Sequence, residues 1–234
     1  MKRPPLPALA AVIATSAGCL STGNHRHIYS LDDAMDAQVQ NGDIAKRPVM
    51  QLQRVLIPDY LDTTDILLRV GPHEIQESST GRFGERLSLG VTHALRADLE
   101  SRLPQDSITL TQSTTGPARQ ILVTVESFDV SPVGRCVLVA DWSILDANRQ
   151  TVLSVDRGAF KTGAAGSRPG DGAIVAAMAD AVGELAQRIA STIEALPPRM
   201  AMAAESLSGY SSAHPGSPAG FEKDGAKNMK HSDR

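Results

Sequence analysis

Residues 120–130 read QILVTVESFDV and residues 135–146 read RCVLVADWSILD; these two runs decide the fold. Both alternate with the period of two that a pleated strand imposes. In the first, Ile121, Val123 and Val125 fall on one face, and Leu122, Thr124, Glu126 and Phe128 on the other. In the second, Cys136, Leu138, Ala140, Trp142 and Ile144 share an apolar face, opposite Val137, Val139, Asp141 and Ser143. Pro132 to Gly134 supplies the turn between them. Asp146-Ala147-Asn148 leads to a third strand over Thr151–Lys161. An antiparallel meander is expected, with one apolar face that needs a cover.

Two helical patterns can supply that cover. Between Gly81 and Arg102, Leu87, Val91, Leu95 and Leu99 recur every four residues, while Glu85, Arg86, Arg96, Asp98, Glu100 and Arg102 lie largely off that stripe. Ser79 or Thr80 is the predicted N-cap and Pro104 the stop. Between Gly172 and Leu196, an apolar face carries Ile174, Met178, Val182, Leu185, Ile189, Ile193 and Leu196, and Pro197-Pro198 ends it. Burying those side chains contributes roughly 10–20 kcal/mol before the entropy cost.

Upstream, Ile28–Leu31 reads as a short strand and Leu52–Ile57 as another, ended by Pro58, which cannot donate to a ladder. Asp32–Lys46 between them reads as a connecting loop, and Asp59–Asp62 as a turn. Ile66–Val70 and Glu74–Gln76 flank Gly71-Pro72-His73 as a hairpin, and Ser107–Thr111 reads as a further strand. The expected class is α+β: a mainly antiparallel mixed sheet with two amphipathic helices packed on one face.

The N-terminus has the parts of an export signal. Lys2 and Arg3 begin it, Leu6–Thr15 is a short apolar core, and Ser16-Ala17-Gly18 place small residues before Cys19. That order resembles a bacterial lipobox, in which the cysteine thiol takes a diacylglycerol; Ser16 stands where a leucine is usual. The apolar run is far shorter than the ~20 residues of a spanning helix. The expected organisation is a signal over 1–18, a lipidated tether over 19–27, one domain over 28–197, and a Gly/Ser/Pro-rich disordered tail over 198–234.

Composition narrows the function. The 234 residues carry a net charge of −3, with no excess of cations to hold a phosphate backbone, so nucleic acid is not an expected partner. Aromatics at 3% are too few for stacking platforms. With Cys19 acylated, Cys136 has no disulfide partner and reads as a buried apolar residue. His25 and His27 lack a third ligand, so no metal is expected there, and no cofactor is expected anywhere. The glycine-rich stretch 163–172 (GAAGSRPGDG) lacks the GK[ST] of a phosphate-binding loop. No G-x-S-x-G is present. His73 and His93 have no partner legible in the sequence, and Asp59 and Asp62 suit a turn better than catalysis.

Taken in order, the lipobox-like Cys19, Tyr29-x-Leu31, Arg54-Val55-x-x-Pro58-x-Tyr60-Leu61, the leucine-striped helix, Val123/Val125/Phe128, the Trp142–Leu145 run and a last helix closing in Leu196-Pro197 resemble the ABC-type transport auxiliary lipoprotein family. The resemblance spans about residues 19–197. It implies a non-catalytic periplasmic domain, anchored to the outer membrane through acyl chains such as palmitate on Cys19. It further implies work beside an MCE-domain protein and an inner-membrane ABC permease and ATPase in lipid transport, sometimes as a homo-oligomeric ring. Leu20 after the cysteine fits the outer membrane. Pro58, Tyr60 and Leu61, together with the 163–172 loop, are candidate docking residues because exposed irregular segments on a rigid sheet often make contacts. A lipoprotein of envelope assembly or lipid binding outside ABC transport stays open as an alternative, as does, more remotely, a periplasmic hydrolase.

Overall fold

The β-rich centre of the chain forms as its alternation dictates. In the computed structural model, which describes residues 26–32, 47–111, 119–148, 150–166 and 169–197, the meander is β6 (Arg119–Val130), β7 (Arg135–Asp146) and β8 (Val152–Gly163). Its antiparallel register places Val123 opposite Trp142 and Leu138 opposite Phe160. Two short strands extend the sheet beyond β6. Of these, β2 (Val49–Leu52) runs parallel to β6 and to β5 (Ser107–Thr109), giving the order β5-β2-β6-β7-β8. A second, three-stranded sheet is made of β1 (His27–Tyr29), β3 (Asp65–Gly71) and β4 (Glu74–Phe83), in the order β1-β4-β3. Helices α1 (Leu87–Arg102) and α2 (Asp171–Ala195) pack on each other, and α2 lies across β7 and β8. The architecture is α+β, with mixed but mainly antiparallel sheets.

One hydrophobic cluster joins all these elements. The expected stripes are inside: Leu87, Val91, Leu95 and Leu99 of α1, and Ile174, Met178, Val182, Leu185, Ile189 and Ile193 of α2. Leu196 packs at the margin of the cluster. On α2, Ala177, Ala181, Ala186 and Ala190 are buried as well. Their small side chains let the helix sit close to its neighbours, where larger residues would overpack.

Several expectations need correction. Phe128 is buried together with Val123 and Val125, not on the Glu126 face. A register shift between Val125 and Ser127 inserts an extra residue into β6, and one extra residue reverses the side-chain phase. The first helix begins at Leu87, not Gly81, because β4 runs on to Phe83 and its end is held by strand pairing. Neither Ser79 nor Thr80 caps it; Arg86 is the N-cap residue and its side chain makes no capping bond. The strand expected over Leu52–Ile57 pairs regularly only as far as Leu52. Beyond it the chain keeps touching β6 through Gln53 N–H to Ile121 O (2.9 Å), Leu56 N–H to Val123 O (3.0 Å) and Val125 N–H to Leu56 O (2.8 Å). Most of the loop expected over Asp32–Lys46, Cys19, His25 and the tail from Pro198 lie outside the described residues.

Candidate functional site

The proline turn after β2 is built to hold the start of α1. Leu61 N–H donates to Pro58 O (2.9 Å), which tightens the turn. That turn delivers the Asp62 carboxylate to the helix N-terminus, where Oδ1 accepts the Ser88 backbone N–H at 3.0 Å. Leu87 N–H donates to Thr63 O at 3.0 Å. Orphan donors of the helix are thus satisfied from a distant segment instead of from a local cap. Arg86 and Arg54 approach Asp62 at 3.4 and 3.7 Å, and Arg54 also donates to Ser88 Oγ (2.6 Å). Burial alone would raise the Asp62 pKa; the Ser88 hydrogen bonds and the charges of Arg86 and Arg54 outweigh it and hold the carboxyl below its ordinary value.

The three candidate docking residues therefore separate. Tyr60 is half exposed and Pro58 partly so, but Leu61 points into the core at 3% exposure and is a packing residue. Asp59 is exposed at the tip of the turn, and Asp62 belongs to the helix cap, so the two aspartates do not form a pair. Arg69 stands near Tyr60 and is bound by Asp129 through Nε (2.7 Å), a contact that keeps the guanidinium still more firmly charged. This ion pair ties β3 to the far end of β6.

Of the other candidates, His93 Nδ1 lies 3.0 Å from Glu85 Oε1 on a partly exposed surface of α1. His73 is exposed in the β3–β4 turn. Among the described residues no group of three or more His, Cys, Asp or Glu could hold a metal ion. Cys136 is buried, and burial pushes its thiol pKa up to about 11, which makes it a poor nucleophile. In the glycine-rich stretch, Gly166 adopts φ +95°, Gly170 leads into α2, and Gly172 already belongs to that helix. A crevice between β3, α1 and α2, lined by Leu61, Leu67, Phe83, Phe128 and Met178 among others, has room for little more than one water.

Sequence reading missed the polar clasp at the start of α2. Asp171, 8% exposed, accepts hydrogen bonds from Ser78 Oγ (2.8 Å) and Thr80 Oγ1 (2.6 Å). The hydroxyls reach it because β4 bulges: β3 passes from Asp65 to Leu67 while β4 passes from Arg82 back to Glu77. Gly81 sits in the bulge, where a Cβ would lie 2.6 Å from Asp171 Oδ2 and 2.7 Å from Tyr29 Cε2. The carboxylate also complements the positive end of the helix. The helix expected from Gly172 begins one residue earlier, at Asp171; an acid just before the expected start was the legible signal, and its partners, more than ninety positions away in sequence, were not.

The buried polar residues Asp171, Ser88 and Thr92 thus serve to join one element to another; Thr92 Oγ1, for instance, accepts Val55 N–H at 3.0 Å. What these contacts define is a two-helix α+β body that presents irregular turns at its surface. The sequence model of the ABC-type transport auxiliary lipoprotein component family matches residues 29–190, and the chain belongs to that family. Comparison with curated proteins gives no match. Among solved structures, an uncharacterized protein superposes with a TM-score of 0.56 at 16% identity, covering 72% of this chain and 98% of its own. XCC0632 from Xanthomonas campestris superposes with a TM-score of 0.53 at 11% identity, covering 63% and 87%. At such identities the likeness is one of fold alone. No helix among the described residues is long and apolar enough to cross a membrane.

Proposed function

We propose that this lipoprotein is held at the periplasmic side of the outer membrane by acyl chains on Cys19 and is the non-catalytic docking component of an MCE-type ABC system that moves lipid between the membranes. The observation that carries the reading is the family match over residues 29–190 on a chain whose residues 16–19 read SAGC. Two or three acyl chains hold a domain firmly at a bilayer, at about 0.8 kcal/mol per buried CH₂. The body then needs only a contact surface. Its buried polar groups joining elements are consistent with a scaffold, and Pro58 and Tyr60 are the proposed contacts on the exposed turn.

The test has two parts. Mass spectrometry of the mature N-terminus should find Cys19 acylated, and Cys19→Ser should move the protein from the outer-membrane fraction to the soluble periplasm. Affinity capture of the lipoprotein from solubilised envelopes should recover an MCE-domain protein, and Tyr60→Ala should weaken that recovery. Capture of outer-membrane assembly factors in its place would shift the assignment to an envelope lipoprotein outside ABC transport.

A further inference from the structure

We infer that the outer row of the small sheet, centred on Ile28 and Arg82, is the face that lies against the bilayer. The inference rests on the acylation of Cys19 proposed above. The chain enters the described domain at Arg26, and the seven links from Cys19 to Arg26 span at most about 25 Å. The end of the domain carrying β1 is therefore held near the lipid, whatever else the anchor permits.

The two faces of the small sheet differ there. Tyr29, Gly81 and Phe83 point inward, with Tyr29 beside the start of α2. The outward row runs Ile28–Arg82–Asp65 across the three strands. Ile28 is 63% exposed. A single exposed aliphatic residue is ordinary on a protein surface. This one differs by its position, one residue past the tether within β1 and opposite Arg82 in the strand register. Arg26 Nη1 binds Asp65 at 2.9 Å and neutralises the acid of the row. The Arg82 side chain is exposed and makes no hydrogen bond or ion pair among the described residues. Gly84, whose Cβ position lies 3.3 Å from Ile28, leads to the exposed Arg86, which shares the carboxylate of Asp62 with Arg54. Nearby, the carboxylates of Glu85 and Asp32, in contact with His93 and Ser30, offset the remaining cations of this end, so the attraction offered to headgroups is that of the Arg82 guanidinium itself.

An apolar side chain flanked by guanidinium groups on long stems suits one environment: the boundary between acyl chains and anionic headgroups. There isoleucine enters the apolar edge while arginine reaches up to phosphate. The occupant proposed is thus the bilayer that holds the anchor, through its phosphate headgroups.

The test uses the full acylated lipoprotein in vesicles of phosphatidylethanolamine and phosphatidylglycerol. Ile28→Cys and, as a control in the other sheet, Val155→Cys are each labelled with an environment-sensitive dye. Acylation occupies Cys19, and Cys136 is buried, so labelling is selective. Lipid-borne nitroxide quenchers should quench the dye at 28 and spare the dye at 155. Arg82→Gln should lower the equilibrium constant for membrane contact at 28, read from the quenched and unquenched populations, about fivefold, the effect expected of one basic residue at an anionic surface. If the protein stays on the vesicles but the dye at 28 is unquenched, or quenched no more than at 155, the inference is overturned and the anchor stands. If the protein leaves the vesicles, the anchor reading fails and takes the inference with it.

Discussion

Single atoms set limits at several positions. Gly81 is one, because the bulge of β4 brings the Asp171 carboxylate and the Tyr29 ring within 2.7 Å of where a Cβ would stand. Gly81→Ala must displace the clasp and should cost about 2 kcal/mol or more, whereas Gly163→Ala, with nothing within 4 Å among the described residues, should be near neutral. Urea denaturation of the two variants checks this, and equal stability would show that the clasp is loose. Cys136 makes a pH prediction. Its thiol pKa rises from 9.0 to about 11 on folding. The folded state then holds the proton more tightly, so the contribution is fully present below pH 9.0 and is lost as pH rises through about 11. Stability should fall by about 3 kcal/mol across that window, and Cys136→Ala should show a shallower decline when both are followed by denaturation at each pH. Trp142, buried at 2% exposure with no partner for its indole N–H among the described residues, packs tilted on Phe160 at 6.4 Å, and Gly158 leaves the room this needs.

Elements are joined here by polar side chains that reach across the chain. Helix α1 has no local side-chain cap and borrows Asp62 from the proline turn. Asp62→Asn keeps the oxygen but removes the charge paired with Arg86 and Arg54, and should cost about 1 kcal/mol. The Asp62 pKa is depressed on folding, so its contribution exists above the unfolded value of 3.8 and disappears as pH falls through the folded one. The stability difference between the native protein and the Asp62→Asn variant should therefore vanish in strong acid; a difference that persists there would mean that geometry, not charge, holds the cap. The turn was legible from Pro58 and its aspartates, as was the leucine stripe of the helix. The cap was not, because Asp62 and Ser88 are brought together only by the hairpin between them. The phase of Phe128 was equally hidden: a bulge leaves no mark in the alternation until its far side is seen to be buried.

At the scale of the molecule, the two sheets and both helices share one hydrophobic cluster. Unfolding of residues 26–197 should thus be a single transition. The lone tryptophan, Trp142, is buried on the large sheet, so its fluorescence and the far-ultraviolet circular dichroism of the helices should share one midpoint in urea. Separate midpoints would mean that the small sheet or α1 comes away first. The large sheet also leaves Leu122 and Val155 exposed, with Leu56 exposed beside it, since apolar residues are not confined to the core.

Alternation and four-residue recurrence, read directly from the residues, were enough to determine the meander, both helical stripes and the α+β class, because burial of one face is a local property of periodic chains. The order of motifs from Tyr29 onward likewise pointed to the family whose model matches residues 29–190. Only the tertiary structure decided that the strands divide into two sheets, that β2 runs parallel to β6, that Leu61 packs inward while Tyr60 faces out, and that Asp171 meets Ser78 and Thr80. Those outcomes depend on pairings between residues far apart in the chain, and such pairings are settled by the fit of whole surfaces.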